Sequence, residues 1–167
     1  NKKSENQEII NHKIVSLNGA VTEILSALGQ ENNIVGVDVT STYPEGIKEK
    51  AQDLGHVRSI SIESLIALQP TLVLASDKDL NPELITKLKE TNIKVKTIHQ
   101  EQSIEGTKQF IKDVAEAVGD TDYTSLIEQI DADFADLNQF ETAPKVLFIY
   151  ARGAGTLMVA GKNTPMQ

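Results

Sequence analysis

The sequence predicts an α/β fold, a mainly parallel sheet flanked by helices, and three observations carry that expectation. Short apolar runs of strand length alternate with stretches of helical period from residue 13 to 119. Capping residues, glycines and prolines fall where those stretches should begin and stop. The longest apolar runs, such as Thr71-Leu72-Val73-Leu74-Ala75, are far shorter than the roughly 20 residues that span a bilayer.

Taken in order, Lys13-Ile14-Val15-Ser16-Leu17 reads as the first strand. Asn18 is a helix cap, and Val21, Ile24, Leu25 and Leu28 recur at helical steps before Gly29 stops that helix. Ile34-Val35-Gly36-Val37-Asp38 is the next strand, followed by a loop rich in turn residues, Thr40 to Gly46. Ser61 caps a helix carrying Leu65, Ile66 and Leu68, which Gln69-Pro70 ends. Thr71 to Ala75 makes a third strand.

Asn81-Pro82 opens a further helix, since proline suits the first helical position. Ile93 to Ile98 alternates as a fourth strand, and a longer helix covers Ile104 to Val118, with Gly119 at its end. From Thr121 to Phe140 a second helical stretch follows with no strand between, about 30 Å long at 1.5 Å per residue, long enough to act as a strut. After Pro144 the run Lys145 to Tyr150 is expected to begin a new αβ pattern that stays unfinished at Gln167. The expected organisation is thus a polar tail (1–12), an α/β lobe (13–119), a connecting helix (120–142) and the start of a second α/β lobe (143–167).

Composition narrows the function classes. Sixteen Lys+Arg against 24 Asp+Glu give a net charge of -8, which repels a phosphate backbone and argues against nucleic acid. The absence of cysteine removes disulfides and thiolate chemistry without deciding the compartment. The polar start, Asn1 to Glu8, suits a processed chain whose tether once followed a lipid-bearing cysteine. No Gly-x-Ser-x-Gly elbow, His-Glu-x-x-His motif or paired carboxylates suggest catalysis, although Ser16, Asp38, Ser76 and His99 fall near strand ends where an α/β enzyme keeps its site. A small α/β enzyme is therefore the less favoured reading.

The residues with the most chemistry are in Gly55-His56-Val57-Arg58, a loop that can offer an imidazole to a metal and a guanidinium to an anion. Tyr43, in Ser41-Thr42-Tyr43-Pro44, is an alternative ligand, though an aromatic in such a turn more often packs the loop. Asn18-Gly19-Ala20 opens a helix whose first amides can accept an anionic group. His12 and His99 lack metal-ligand spacing and read as solvated residues. The glycine loop at Gly153-Ala154-Gly155 lacks the third glycine of a dinucleotide fingerprint.

Several blocks in order, Ile14 to Leu25, Ile34 to Asp38 with Ser41 to Pro44, Gly55 to Arg58, Leu65 to Ser76, Arg152 to Gly155 and Met158 to Gly161, resemble the haem-binding periplasmic proteins of bacterial ABC importers. That resemblance implies two α/β lobes joined by one long helix, with the second lobe only begun here, and a ligand held in the cleft between them. It implies an extracytoplasmic protein, periplasmic or on the outer face of the cytoplasmic membrane, that hands haem to an ABC-transporter permease. A corrinoid or ferric siderophore is the alternative cargo.

Residue by residue, the resemblance implies that His56 stands where haem-binding members carry a tyrosine that ligates iron. Neutral imidazole is a good ligand for haem iron in both oxidation states, and such a site should loosen once the ring is protonated. Arg58 matches the arginine beside the axial ligand, Arg152 heads a glycine-rich loop facing the same porphyrin, and Glu63 matches a glutamate that docks the permease. The plain reading of Glu63 is a carboxylate favoured by the start of its helix.

Overall fold

The computed structural model describes residues 12–78, 80–119, 122–135, 142, 144–151, 153–162 and 164. Its elements are β1 (Ile14–Ser16), α1 (Gly19–Ala27), β2 (Ile34–Val37), α2 (Ile47–Lys50), β3 (Gln52–Asp53), α3 (Ile62–Ala67) and β4 (Leu72–Ser76). Then come α4 (Pro82–Lys89), β5 (Lys94–Ile98), α5 (Ile104–Ala117), α6 (Thr124–Ala135), β6 (Ile149–Ala151) and β7 (Leu157–Val159). The chain divides into two compact units, with the boundary between Ile130 and Asp131, inside α6.

In the first unit the described strands form one parallel sheet in the order β3-β2-β1-β4-β5. Residues alternate between its two faces, and each face is buried under helices, which is why the inner strands β1, β2 and β4 read as nearly continuous apolar runs. Ile14, Leu72 and Leu74 join Val21 and Leu25 of α1 and Phe110 and Val114 of α5 in one core cluster. Val15, Val73 and Ala75 join Leu65 of α3 and Leu84 and Leu88 of α4 in the other.

The caps fall where the residue types ask for them. Asn18 Oδ1 accepts from the amides of Ala20 (3.0 Å) and Val21 (3.3 Å), Ser61 Oγ from Ser64 (3.2 Å), and Asn81 Oδ1 from Glu83 (2.9 Å). Ser103 does the same for α5 through Gly106 (2.9 Å). Two elements differ from expectation. The chain from Ile47 to Asp53, to which the sequence assigns no element, makes one helical turn and a two-residue edge strand, too short and polar to show a period. Edge strand β5 keeps Lys94 and Lys96 exposed at the opposite margin of the sheet.

In the second unit the run expected as a strand after Pro144 contains β6, and a second strand, β7, follows it. β6 and β7 pair antiparallel, with Ile149 opposite Val159 and Ala151 opposite Leu157. Gly153 and Gly155, at φ of 66° and 91°, supply the left-handed backbone that reverses the chain, which favours a hairpin over a crossover. The connecting helix expected to reach Phe140 is described as far as Ala135; residues 136–141 lie outside the described set.

Candidate functional site

A parallel sheet gathers its loops at the carboxyl ends of the strands, and there the first unit collects its chemistry. Asn18 and Gly19 follow β1, Thr40 to Tyr43 follow β2, His56 and Arg58 follow β3, Asp77 follows β4 and His99 follows β5. The loop after β3 is built from its backbone. Asp53 Oδ1 accepts from the Gly55 amide at 2.9 Å, Gly55 turns at φ 76°, and its carbonyl accepts from Val39 N at 2.8 Å. Only a residue without Cβ adopts that φ at low cost, which fixes glycine before the histidine.

Val57 and Ile60 are buried in the core, so the 3₁₀ turn Val57–Ser59 is anchored while His56 and Arg58 on either side of Val57 are exposed. The Arg58 amide donates to His56 Nδ1 at 3.3 Å, and the His56 carbonyl accepts from the Ser59 hydroxyl at 2.9 Å. A backbone N–H can only donate, so Nδ1 carries the lone pair and the neutral ring keeps its proton on Nε2. Coordination of a metal through Nε2 therefore requires the proton to shift to Nδ1, at the loss of this cap. The Arg58 guanidinium makes no ion pair among the described residues and is available to an anion.

Asp53 also pairs with Lys48 at 3.1 Å. The Gly55 amide first, then Lys48, hold its carboxyl below the usual 3.8. A folded-state pKa below the unfolded value contributes stability that is present above about pH 4 and lost as pH falls through the lowered value. Asp53→Asn should therefore be less stable than wild type at neutral pH, and the difference should vanish in acid; urea melts at pH 7 and pH 3 measure it, and an equal gap at both would refute this role.

A second set of groups lies under the β2 loop. Asp38 is buried, its Oδ2 accepting from the Thr40 hydroxyl (2.7 Å) and amide (3.2 Å) and its Oδ1 from the Ser41 hydroxyl (2.9 Å). Thr22 Oγ1 lies 2.7 Å from Ser41 Oγ and 2.8 Å from Ser16 Oγ, both buried. This network ties the ends of β1 and β2 to α1. Sequence reasoning saw Asp38 and Ser16 only as strand-end residues; Asp-x-Thr-Ser after an apolar strand was the signal for the rest.

Two expectations need correction. The first amides of α1 are already bonded: Gly19 N donates to Thr40 Oγ1 (2.9 Å), and those of Ala20 and Val21 to Asn18. Asn18 and Gly19 thus hold the loop, leaving no spare donor among these three for an anion. Tyr43 does not pack its turn either, being 61% exposed, because the turn is held instead by the buried polar groups beneath it. Gly19 has a packing role of its own: a Cβ there would lie 2.5 Å from the Thr40 carbonyl oxygen. Gly19→Ala should cost about 1–3 kcal/mol, the usual penalty of overpacking; a thermal melt unchanged from wild type would contradict the close approach.

Glu63 is exposed at the start of α3, where its own amide, then the Ser61 hydroxyl, lower its pKa. It lines a groove of about 220 Å³ with Asn81, Glu83 and Lys87, the last two paired at 2.8 Å. Arg152 lies outside the described residues. His99, expected as a solvated residue, pairs with Asp77.

The model of the periplasmic binding protein family matches residues 14–167. The chain belongs to the periplasmic binding protein family. Its parallel sheet and helices match the first lobe of such proteins: the periplasmic haem-binding protein RhuT of Roseiflexus sp. RS-1 is 34% identical with a TM-score of 0.80, over 92% of this chain and 60% of that one. Among curated relatives, YvrC of Bacillus subtilis (strain 168), described as an uncharacterized ABC transporter substrate-binding lipoprotein, is 31% identical over 92% of this periplasmic binding protein and 51% of its own length. The vitamin B12-binding protein of Vibrio vulnificus (strain YJ016) is 26% identical over 93% and 57%. This chain thus spans about half the length of the curated relatives it matches.

Proposed function

We propose that this protein is an extracytoplasmic carrier that captures haem and delivers it to an ABC-transporter permease. The observation that carries the reading is the built loop at Gly55–Arg58, which holds His56 exposed beside an Arg58 that makes no ion pair among the described residues. His56 is the iron ligand in this reading, and Arg58, with Arg152, engages the propionates, while burial of the porphyrin face provides most of the affinity. Glu63 docks the permease. Tyr43 lines the ligand's edge, and Asn18 and Gly19 act through the loop they hold. A similar haem-binding protein, RhuT, supports haem as cargo.

A corrinoid is the second reading, favoured by the vitamin B12-binding relative. The two separate by the metal's needs, because haem leaves axial positions open to a protein nitrogen. Hemin added to the protein should give a shifted Soret band, and His56→Ala should weaken binding about 100-fold, near 2.8 kcal/mol at 1.4 kcal/mol per decade. Binding of cyanocobalamin with no spectral response to hemin would reverse the choice. A carrier, rather than an enzyme, is supported by the family and by relatives named for binding.

A further inference from the structure

Besides His56, one other imidazole stands at the carboxyl end of the sheet. β4 and β5 run parallel with Ser76 opposite Ile98, so the next residues on each strand, Asp77 and His99, come out side by side, and the Asp77 amide donates to the Ile98 carbonyl at 3.0 Å. The Asp77 carboxylate is fixed at both oxygens: Oδ1 lies 3.5 Å from the Ser76 hydroxyl, itself buried, and Oδ2 lies 2.7 Å from His99 Nδ1. An aspartate is ionised near neutrality, and this one keeps its Oδ2 within hydrogen-bond distance of the ring nitrogen. An ionised carboxylate only accepts. The proton therefore sits on Nδ1, and the neutral ring carries its lone pair on Nε2 while its side chain is 65% exposed.

This is the arrangement in which a carboxylate sets the tautomer of a metal-binding histidine and raises its basicity. It is the reverse of His56, whose Nδ1 accepts from a backbone amide and whose neutral ring holds its proton on Nε2. No group of three or more His, Cys, Asp or Glu able to hold an ion occurs among the described residues, so His99 has no companions with which to chelate a bare cation. A single ring nitrogen suits a transition metal already held by a macrocycle and open at an axial position.

We infer that His99, oriented by Asp77, is an axial nitrogen ligand for a metal macrocycle at the β5 end of the sheet. The inference deepens the haem-carrier reading above and rests on it. The site belongs to the same row of loops as His56 but to the opposite margin of the sheet, β3 and β5 being its two edge strands.

The test titrates hemin into the full chain and its His99→Ala, Asp77→Asn and His56→Ala variants, followed by absorbance, with long-range ¹H–¹⁵N spectra of the histidine rings. The expected results are an Nδ1–H tautomer for His99 in the wild type, a changed Soret spectrum and loss of affinity in His99→Ala, and an affinity about 10-fold lower in Asp77→Asn, the size of effect typical of a partner behind a metal ligand. Hemin binding that His56→Ala removes, but that His99→Ala leaves unchanged in affinity and spectrum, overturns this inference and keeps the carrier reading. An Nε2–H tautomer for His99 overturns it whatever hemin does. No hemin binding by the wild type overturns both, and loss in His99→Ala with none in His56→Ala supports His99 while removing the role given to His56.

Discussion

Asp38→Ala is expected to lower the unfolding free energy by about 3 kcal/mol and to free the loop that follows β2. The substitution leaves the Thr40 amide and the Thr40 and Ser41 hydroxyls without the acceptor they share. Hydrogen bonds to a charged group contribute about 1.5–3 kcal/mol each, and relief of a buried charge offsets part of the loss of three. Because the Thr40 hydroxyl also accepts from Gly19, the damage passes from β2 to the start of α1. Asp38→Asn keeps the shape but replaces one acceptor oxygen with a donor, and should fall between. Urea denaturation orders the three proteins; an alanine variant as stable as wild type would show that the buried carboxylate does not hold the loop.

Phe110→Ala is expected to have a larger effect still, about 3–5 kcal/mol. Phe110 is 2% exposed and is among the largest fully enclosed side chains of the first unit. It comes from α5 into the cluster that also holds Ile14, Leu72 and Ile98 of the sheet and Leu25 of α1. Its removal opens a void between two layers that are each fixed by a backbone ladder or a helix, so neither can close over it. Calorimetry should show a melt lowered by many degrees, while the capped loops, which depend on local hydrogen bonds, keep their arrangement in the folded fraction. A loss under 1 kcal/mol would mean that the helix relaxes onto the sheet.

Much of this fold was legible because its physics is local. The first four helix-sized stretches announced their ends through Asn18, Ser61, Asn81-Pro82 and Gly119, and β4 announced itself as five consecutive buried residues. β3 gave no signal, since two exposed polar residues have no period and pair with β2 only because the short α2 delivers them there. After Pro144 a strand was legible, and β6 lies within it, but a strand-like run does not say which way its partner β7 runs. At the site, Gly55 to Arg58 was visible as a motif, but its supports were not: Asp53 reads as an ordinary loop acid until its bond to Gly55 is seen. Asp77 and His99 lie 22 residues apart, and only the register of two parallel strands makes them neighbours.

The margins of the sheet have a consequence for how the protein behaves in company. An unpaired strand edge is a template for a foreign chain, and both edges here deter one. At β3 the template is two residues long, too short to seed a ladder. At β5 the ammonium groups of Lys94 and Lys96 would have to shed their water to admit a neighbour. The first unit is accordingly guarded against strand addition from either side, by brevity on one and by charge on the other.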